Sequence, residues 1–376
     1  MIGDDSLTGE DLTGGELTGE ESSLESGKLS PALSSVLRRF RDGEVLALAR
    51  AISIVEDERA GFEDLLHSVL AVGPSACRVG FTGPPGAGKS TLLAAAATSY
   101  RADEEHIGVI AVDPTSPYSG GALLGDRIRM NDLTTDPGIF IRSMATRGSL
   151  GGLATTTKEV LDLMDAFGFD RVLVETVGVG QTELEITGAA DTIVVVLVPE
   201  SGDAIQAMKA GLMEIADVFV VNKADRPGAS RLAQELRQAL HLKAGDAFKD
   251  MPAHHGVDLS RALREERTTE AVAPEGQEGW SIPVLLTIAQ TGEGVPELLD
   301  AVEAHRHWLT ASGQLEARRR SRASARVQDV VERELRRVAR RSESAREVLE
   351  SALDDIADRV ETPYSVARRI LDGLLR

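Results

Sequence analysis

The chain has 376 residues, 42% hydrophobic and 27% charged, and its 60 acids against 41 bases give a net charge of −19. That balance suits a globular protein with one large domain and a smaller one, and it argues against general nucleic-acid binding. With one cysteine (Cys77), no apolar run near the roughly 20 residues of a membrane span, and an N-terminus (MIGDDSLTGE) unlike a secretory signal, a soluble cytoplasmic protein free of disulfides is expected.

Residues 1–30 repeat LTGE-like units, carry eight acids and one base, and hold too little apolar surface to fold, so a solvated acidic tail is expected. From residue 31 to 72 the pattern turns helical, with Val45, Leu46, Leu48, Ala49, Ile52 and Val55 on a broad apolar face. From residue 73 to about 311, short β-branched runs alternate with helical stretches. Strands are expected at 78–82, 107–112, 139–142, 171–175, 192–198, 218–222 and 282–287, and helices at 89–100, 152–167, 204–215, 230–240 and 295–309. Several strand runs are apolar on both faces, as buried parallel strands are. The pattern predicts an α/β fold with a mostly parallel, doubly wound sheet, whose ligands bind at the carboxyl ends of the strands.

Residues 265–279 read as a surface loop. Beyond Ser312 the strands stop. Val327, Val330, Val331, Leu335 and Val338 form one helical stripe, Val348, Leu349, Ala352, Leu353, Ile356 and Val360 a second, and Ile370, Leu371, Leu374 and Leu375 end a third. Residues 312–376 are therefore a helical extension that needs a surface to cover, either its own core domain or another subunit.

The string Gly83-Pro84-Pro85-Gly86-Ala87-Gly88-Lys89-Ser90-Thr91 matches G-x-x-x-x-G-K-[ST] and falls between a strand and a helix, as a P-loop must. Its glycines let backbone amides turn toward phosphate oxygens, and the helix N-terminus adds positive potential. Lys89 is expected to reach the β- and γ-phosphates and the Ser90 hydroxyl to ligate Mg²⁺. Only seven of the 41 bases are lysines, which makes each a better functional candidate than usual.

Asn222-Lys223-Ala224-Asp225 follows an apolar strand. An Asp225 carboxylate there can accept from both the ring N–H and the exocyclic amine of guanine, a donor pair that adenine lacks. Asn222 and Lys223 would brace the neighbouring loop and the base plane. Thr287, Ile288 and Ala289, ending another strand, offer backbone contacts to the base or are simply a turn. Two acids close strands on the phosphate side, Asp113 and Glu175. Each suits Mg²⁺, held directly or through water, with helix capping as the alternative, and Gly178 can give an amide to the γ-phosphate. Gln181 could orient water, although a polar residue beside a glycine turn needs no such role.

These strings together resemble the methylmalonyl-CoA mutase-associated GTPases, the MeaB/ArgK/MMAA-like group in the G3E class of P-loop GTPases. The resemblance runs from about Leu46 to Leu309. It rests on ALARAISIVE, GPPGAGKST, VDPTSPYSGGALLGDRIRM, FIRSMATRGSLGGLA, VETVGVGQTE, the GD-x5-K stretch at 202–209, and VNKAD. It departs from the usual GTPase pattern at Glu175, where aspartate is commoner.

The resemblance implies a homodimer paired through the C-terminal helices. It also implies GTP/GDP and Mg²⁺ as ligands, and slow GTP hydrolysis that gates adenosylcobalamin delivery to a B12-dependent acyl-CoA mutase. By motif, Asp113 and Asp126 fall in Mg²⁺-responsive switch regions and the residues from Glu175 to Gln181 form a second switch. Asp203 and Lys209 lie in a further loop tied to partner-stimulated hydrolysis, against the alternatives of a helix cap and a solvated helix face. Lys89, Glu175, Asp203 and Lys209 are thus the catalytic candidates.

The alternative function is a nucleotide-dependent protein kinase acting on amino-acid transport binding proteins. A third, nickel-enzyme maturation, would call for metal-binding Cys/His pairs. His254-His255 and His305-x-His307 do not share a helix face and are expected to be solvated. The arginine-rich stretch at 318–341 is expected to be a surface helix bridged by its own Asp329, Glu332 and Glu334, and Trp280 and Trp308 to be packing anchors.

Overall fold

The computed structural model describes residues 29–70, 76–113, 131–145, 155–176, 185–199, 211–243 and 279–374. The expected acidic tail, the 265–279 loop, His254, His255 and most of the helix expected at 204–215 fall outside them, apart from the ends of those ranges.

Seven strands form one sheet: β1 (Cys77–Thr82), β2 (Ile107–Asp113), β3 (Ile139–Ala145), β4 (Arg171–Glu175), β5 (Thr192–Leu197), β6 (Val218–Asn222) and β7 (Val284–Thr287). Their order is β3-β2-β4-β1-β5-β6-β7. Every pairing is parallel, so the expectation of a mostly parallel sheet resolves to a wholly parallel one among the described strands. Strands β2–β4 lie on one side of β1 and β5–β7 on the other. The carboxyl end of β1 therefore opens where the chain switches sides, the usual place for a ligand in such sheets.

The β-branched runs do what their composition dictates. All residues of β4, β5 and β6 are buried. Ile193, Val195 and Leu197 pack into one core and Val194 and Val196 into the other. The second core is closed by α4 (Lys89–Ala102) and α8 (Val295–Ala311). The first is closed by α5 (Thr155–Phe167) and α7 (Ala229–Lys243), with the short α6 (Leu212–Ile215). Strand β7 starts at Val284, two residues later than expected, because Pro283 has no amide to donate; its carbonyl still accepts from Phe219 N at 2.9 Å.

The N-terminal helical pattern becomes α1 (Pro31–Arg41), α2 (Val45–Glu56) and α3 (Phe62–Leu70). Ser30 caps α1, its Oγ accepting from Leu33 N at 3.3 Å, and Pro31 fills the first helical position. These helices lie against α5 and form an extra layer outside it. Phe40 meets Phe167 edge-on at 5.2 Å, and Leu48, Ile52, Val55 and Leu65 are fully buried.

After α8 come α9 (Gln314–Arg341), α10 (Glu343–Ala357) and α11 (Pro363–Leu374). Helix α10 packs on α11, the buried residues of the two helices being Ala345, Ala352 and Val366, and Thr362 and Ser365 cap α11 reciprocally. Helix α9, 28 residues long, buries none of them. Its arginines correct the expectation of an internally bridged helix. Pairs within the helix exist, such as Arg336 with Glu332, but the principal partners lie on the sheet domain. Arg318 pairs with Asp217, Arg319 and Arg322 with Asp191, Arg326 with Asp162, and Arg333 with Glu159, while Asp329 receives Lys158. Spacing alone places these side chains on one face; it does not say which acids lie opposite.

His305 is a second correction. It is fully buried instead of solvated, with Nδ1 2.9 Å from Thr192 Oγ1 and Nε2 3.2 Å from Asp217 Oδ1. Trp280 and Trp308 pack on its ring, and Trp280 Nε1 donates to the Asp217 carbonyl at 2.8 Å. The tryptophans thus are packing anchors, and the histidine is what they anchor. His307, two residues on, is exposed.

Candidate nucleotide site

The P-loop leaves the sheet at Thr82 and closes into α4 at Lys89. Gly83 sits at φ +131°, and a Cβ there would lie 2.1 Å from the Val196 carbonyl oxygen, so β5 crowds the loop root to backbone thickness. Gly88 is left-handed at φ +84°, and a Cβ there would meet Asn222 Nδ2 at 2.4 Å. These two glycines are set by close approach as well as by conformation.

Lys89 is buried. Its Nζ donates to the Gly83 carbonyl at 2.8 Å and the Pro84 carbonyl at 3.0 Å, which folds the loop around its ammonium. Ser90 Oγ donates to Glu175 Oε1 at 2.8 Å, and both residues are buried. A hydroxyl and a carboxylate in contact at the mouth of a P-loop are the hard oxygen donors that Mg²⁺ takes, so the residues present fit that ion. Glu175 is the last residue of β4, in register with Phe81 of β1, which accounts for its reach to Ser90.

The other half of the site is organised by Asn222, the last residue of β6. Its Nδ2 donates to the Ala87 carbonyl at 2.8 Å, and its Oδ1 accepts from Thr287 Oγ1 and from Ala289 N, both at 3.1 Å. One carboxamide therefore ties the phosphate loop to the end of β7. Lys223 adopts a left-handed backbone (φ +57°) and its Nζ donates to the Gly86 carbonyl at 2.9 Å. Asp225 is exposed and lines a cavity of about 80 Å³ with Gly88, Thr91, Ile288 and Ala289. Arg226 and Gln290 line it too; no motif in the sequence singles them out.

The structure thus brings together Gly83 to Thr91, Glu175, Asn222, Lys223, Asp225 and the 287–289 segment. Asp113 is placed as the last residue of β2, on the far side of β4 from β1. Asp126, Gly178, Gln181, Asp203 and Lys209 lie outside the described residues. Sequence reasoning passed over Thr82 and Thr176, whose buried hydroxyls meet at 2.9 Å beside the phosphate loop. Two threonines 94 positions apart give no local signal.

Comparison with known proteins decides what this site belongs to. The family model of the methylmalonyl Co-A mutase-associated GTPase MeaB matches residues 48–344. The chain belongs to that family.

Among its relatives, a Pyrococcus abyssi protein named as a GTPase is 44% identical over 299 residues, covering 80% of this chain and 84% of that one. The GTPase ArgK of Escherichia coli is 34% identical over 307 residues, 81% of this chain and 85% of the relative. A crystal structure titled LAO/AO transport system kinase superposes with a TM-score of 0.62 at 26% identity, spanning 93% of this chain and all of that one. The protein is accordingly a P-loop GTPase of the MeaB family. Among the described residues, no helix is long and apolar enough to cross a membrane.

Proposed function

We propose that this MeaB-family GTPase is a chaperone that uses GTP to gate adenosylcobalamin delivery to a B12-dependent acyl-CoA mutase of the methylmalonyl-CoA mutase type, and to protect that enzyme. The observation that carries the reading is the family match across residues 48–344, whose name ties it to that mutase. It works as a homodimer in the cytoplasm, paired through the C-terminal helices. The exposed Val327, Val331, Leu335 and Val338 of α9 support the pairing, as do Leu349, Leu353, Tyr364 and Leu371 of α10 and α11.

In this mechanism the chain supplies position and charge. The amides of residues 83–88 and the Lys89 ammonium hold the β- and γ-phosphates, and they stabilise the charge that spreads over the transferring phosphoryl as water attacks in line. Lys89 already occupies the loop, so phosphate oxygens replace the Gly83 and Pro84 carbonyls as its partners. Ser90 and Glu175, with Asp113 and Asp126, would hold Mg²⁺, which would supply charge neutralisation at the β- and γ-phosphates. Gly178 gives an amide to the γ-phosphate, and Asp203 and Lys209 act when the partner stimulates hydrolysis. Asp225, Asn222, Lys223 and residues 287–289 select guanine. Among the described residues none beside the phosphate loop is a strong base, which fits slow hydrolysis that rises when a partner orders the site.

The second reading, a nucleotide-dependent kinase, is favoured by one observation, the likeness to the structure titled LAO/AO transport system kinase. Both are tested by following GTP and ATP turnover of the purified protein, alone and with methylmalonyl-, isobutyryl- or ethylmalonyl-CoA mutase. GTP turnover that rises several-fold with one mutase and disappears in Lys89→Ala supports the chaperone. Labelled phosphate appearing on a protein acceptor, or equal use of ATP, overturns it.

A further inference from the structure

The backbone ladder between β1 and β4 ends where Thr176 N donates to the Phe81 carbonyl at 3.1 Å. One step further out, side chains take over: Thr176 Oγ1 donates to Thr82 Oγ1 at 2.9 Å, and both residues are completely buried. The position of this pair is specific. Thr82 precedes Gly83, whose carbonyl holds Lys89 Nζ, and Thr176 follows Glu175, whose carboxylate holds Ser90 Oγ. The two hydroxyls therefore join the root of the phosphate loop to the residue after the acid that faces it.

Stability does not account for hydroxyls here. Strands β1 and β4 are already paired over five registers, from Cys77 with Arg171 to Phe81 with Glu175. A buried hydroxyl is costly unless it is hydrogen-bonded, whereas two valines have the same shape and no such need. Replacing both partners of a buried hydrogen bond with apolar groups of equal shape is close to neutral for folding. What a valine pair would lose is the directional link that keeps β4 in the ladder through Thr176.

We infer that Thr82 and Thr176 are positioning residues for GTP hydrolysis: their hydroxyl pair fixes the point at which the chain leaves β4, and so holds the Glu175 carboxylate against Ser90. The inference rests on the reading of Ser90 and Glu175 as the metal-side pair. It concerns the site's geometry and assigns neither threonine a contact with nucleotide.

The test is a valine cycle in the full-length protein, Thr82→Val, Thr176→Val and the double variant, with Thr176→Ser as the conservative control. Thermal midpoint, GDP affinity, kcat and KM for GTP, and the Mg²⁺ concentration giving half-maximal rate are read for each. Each single valine is expected to lower the midpoint and to cut kcat at least about tenfold, with GDP affinity held within about twofold. The Mg²⁺ requirement is expected to rise several-fold. The double variant should recover the midpoint but not kcat, and Thr176→Ser should keep both. If the double variant recovers kcat together with the midpoint, or the single variants retain kcat, the pair is only structural and the inference is wrong. Glu175→Gln separates this failure from that of the underlying reading: an unchanged Mg²⁺ requirement in that variant removes the metal-side assignment itself.

Discussion

Arg318 closes a two-pronged contact on Asp217, Nη1 to Oδ2 at 3.0 Å and Nη2 to Oδ1 at 2.9 Å, and so joins the start of α9 to the residue that precedes β6. The same carboxylate accepts from Ile193 N and lies beside His305. A single acid thus links the helical extension, α8 and two strands. Because α9 buries no residue, such ion pairs are what seat it on the sheet domain.

Charge seating is sensitive to salt. Partly exposed pairs are screened as the Debye length falls from about 10 Å at 0.1 M to 3 Å at 1 M. Amide hydrogen exchange along α9 is therefore expected to speed up between 0.1 and 1 M NaCl, while α4, packed among apolar side chains, stays protected. Equal responses in the two helices would mean that α9 is held by something other than its arginines.

Acid should act on the same joint. Burial pushes the Asp191 carboxyl up, but Arg319 and Arg322 more than offset it and hold it below the usual carboxylate range. Asp217 is lowered likewise, by His305 and Arg318 against its burial. A depressed folded value means stability that is present above the unfolded pKa, about 3.9, and lost as pH falls through the folded value. Asp191→Asn, which leaves two guanidinium groups uncompensated, is expected to cost about 3 kcal/mol at pH 7. That gap should close below about pH 4, as read by urea unfolding across pH.

Asn222 and Asp225 should separate fold from selectivity. Asn222→Ala breaks three hydrogen bonds, each worth about 1 kcal/mol, and should weaken GDP binding by about 10- to 100-fold while lowering the thermal midpoint. Asp225→Asn, on an exposed side chain, should leave the midpoint unchanged. It should shift preference from guanine toward xanthine nucleotides, because an amide donates where xanthine carries an oxygen. Competition of GDP and XDP for a fluorescent analogue reads both effects.

The apolar stripe of α9 yields a prediction about assembly. Leu335 and Val331 are each half exposed on a helix whose other face is taken by ion pairs. Leu335→Glu with Val331→Glu is expected to convert a dimer to a monomer in light scattering while leaving intrinsic GTP turnover within about twofold. A wild-type protein that is monomeric at micromolar concentration would remove the homodimer from the proposal.

Much of this was legible in the residues. The inner runs of β4, β5 and β6 (172–174, 193–197 and 218–221) are apolar without interruption, as a strand covered on both faces reads. The P-loop and the Asn222–Asp225 motif could be read as a candidate nucleotide site because their chemistry is local, and the structure brings the two together. What stayed hidden is non-local. Helical spacing placed the arginines of α9 on one face but could not say that Asp191 and Asp217, more than 100 residues earlier, stand opposite. His305 looked like one of two unremarkable histidines, since its burial depends on Trp280, Asp217 and Thr192 converging from other elements.

The N-terminal layer carries a consequence for biosynthesis. Helices α1 to α3 end at Leu70, yet the surface they cover is α5, which is complete only at Phe167. During translation their apolar side chains must wait for about a hundred further residues, on the order of 5–20 s at 5–20 residues per second. Over that interval α1 to α3 have one another but not α5 to pack on, so part of the apolar face that carries Leu48, Ile52 and Val55 stays open until the sheet domain's α5 has been made.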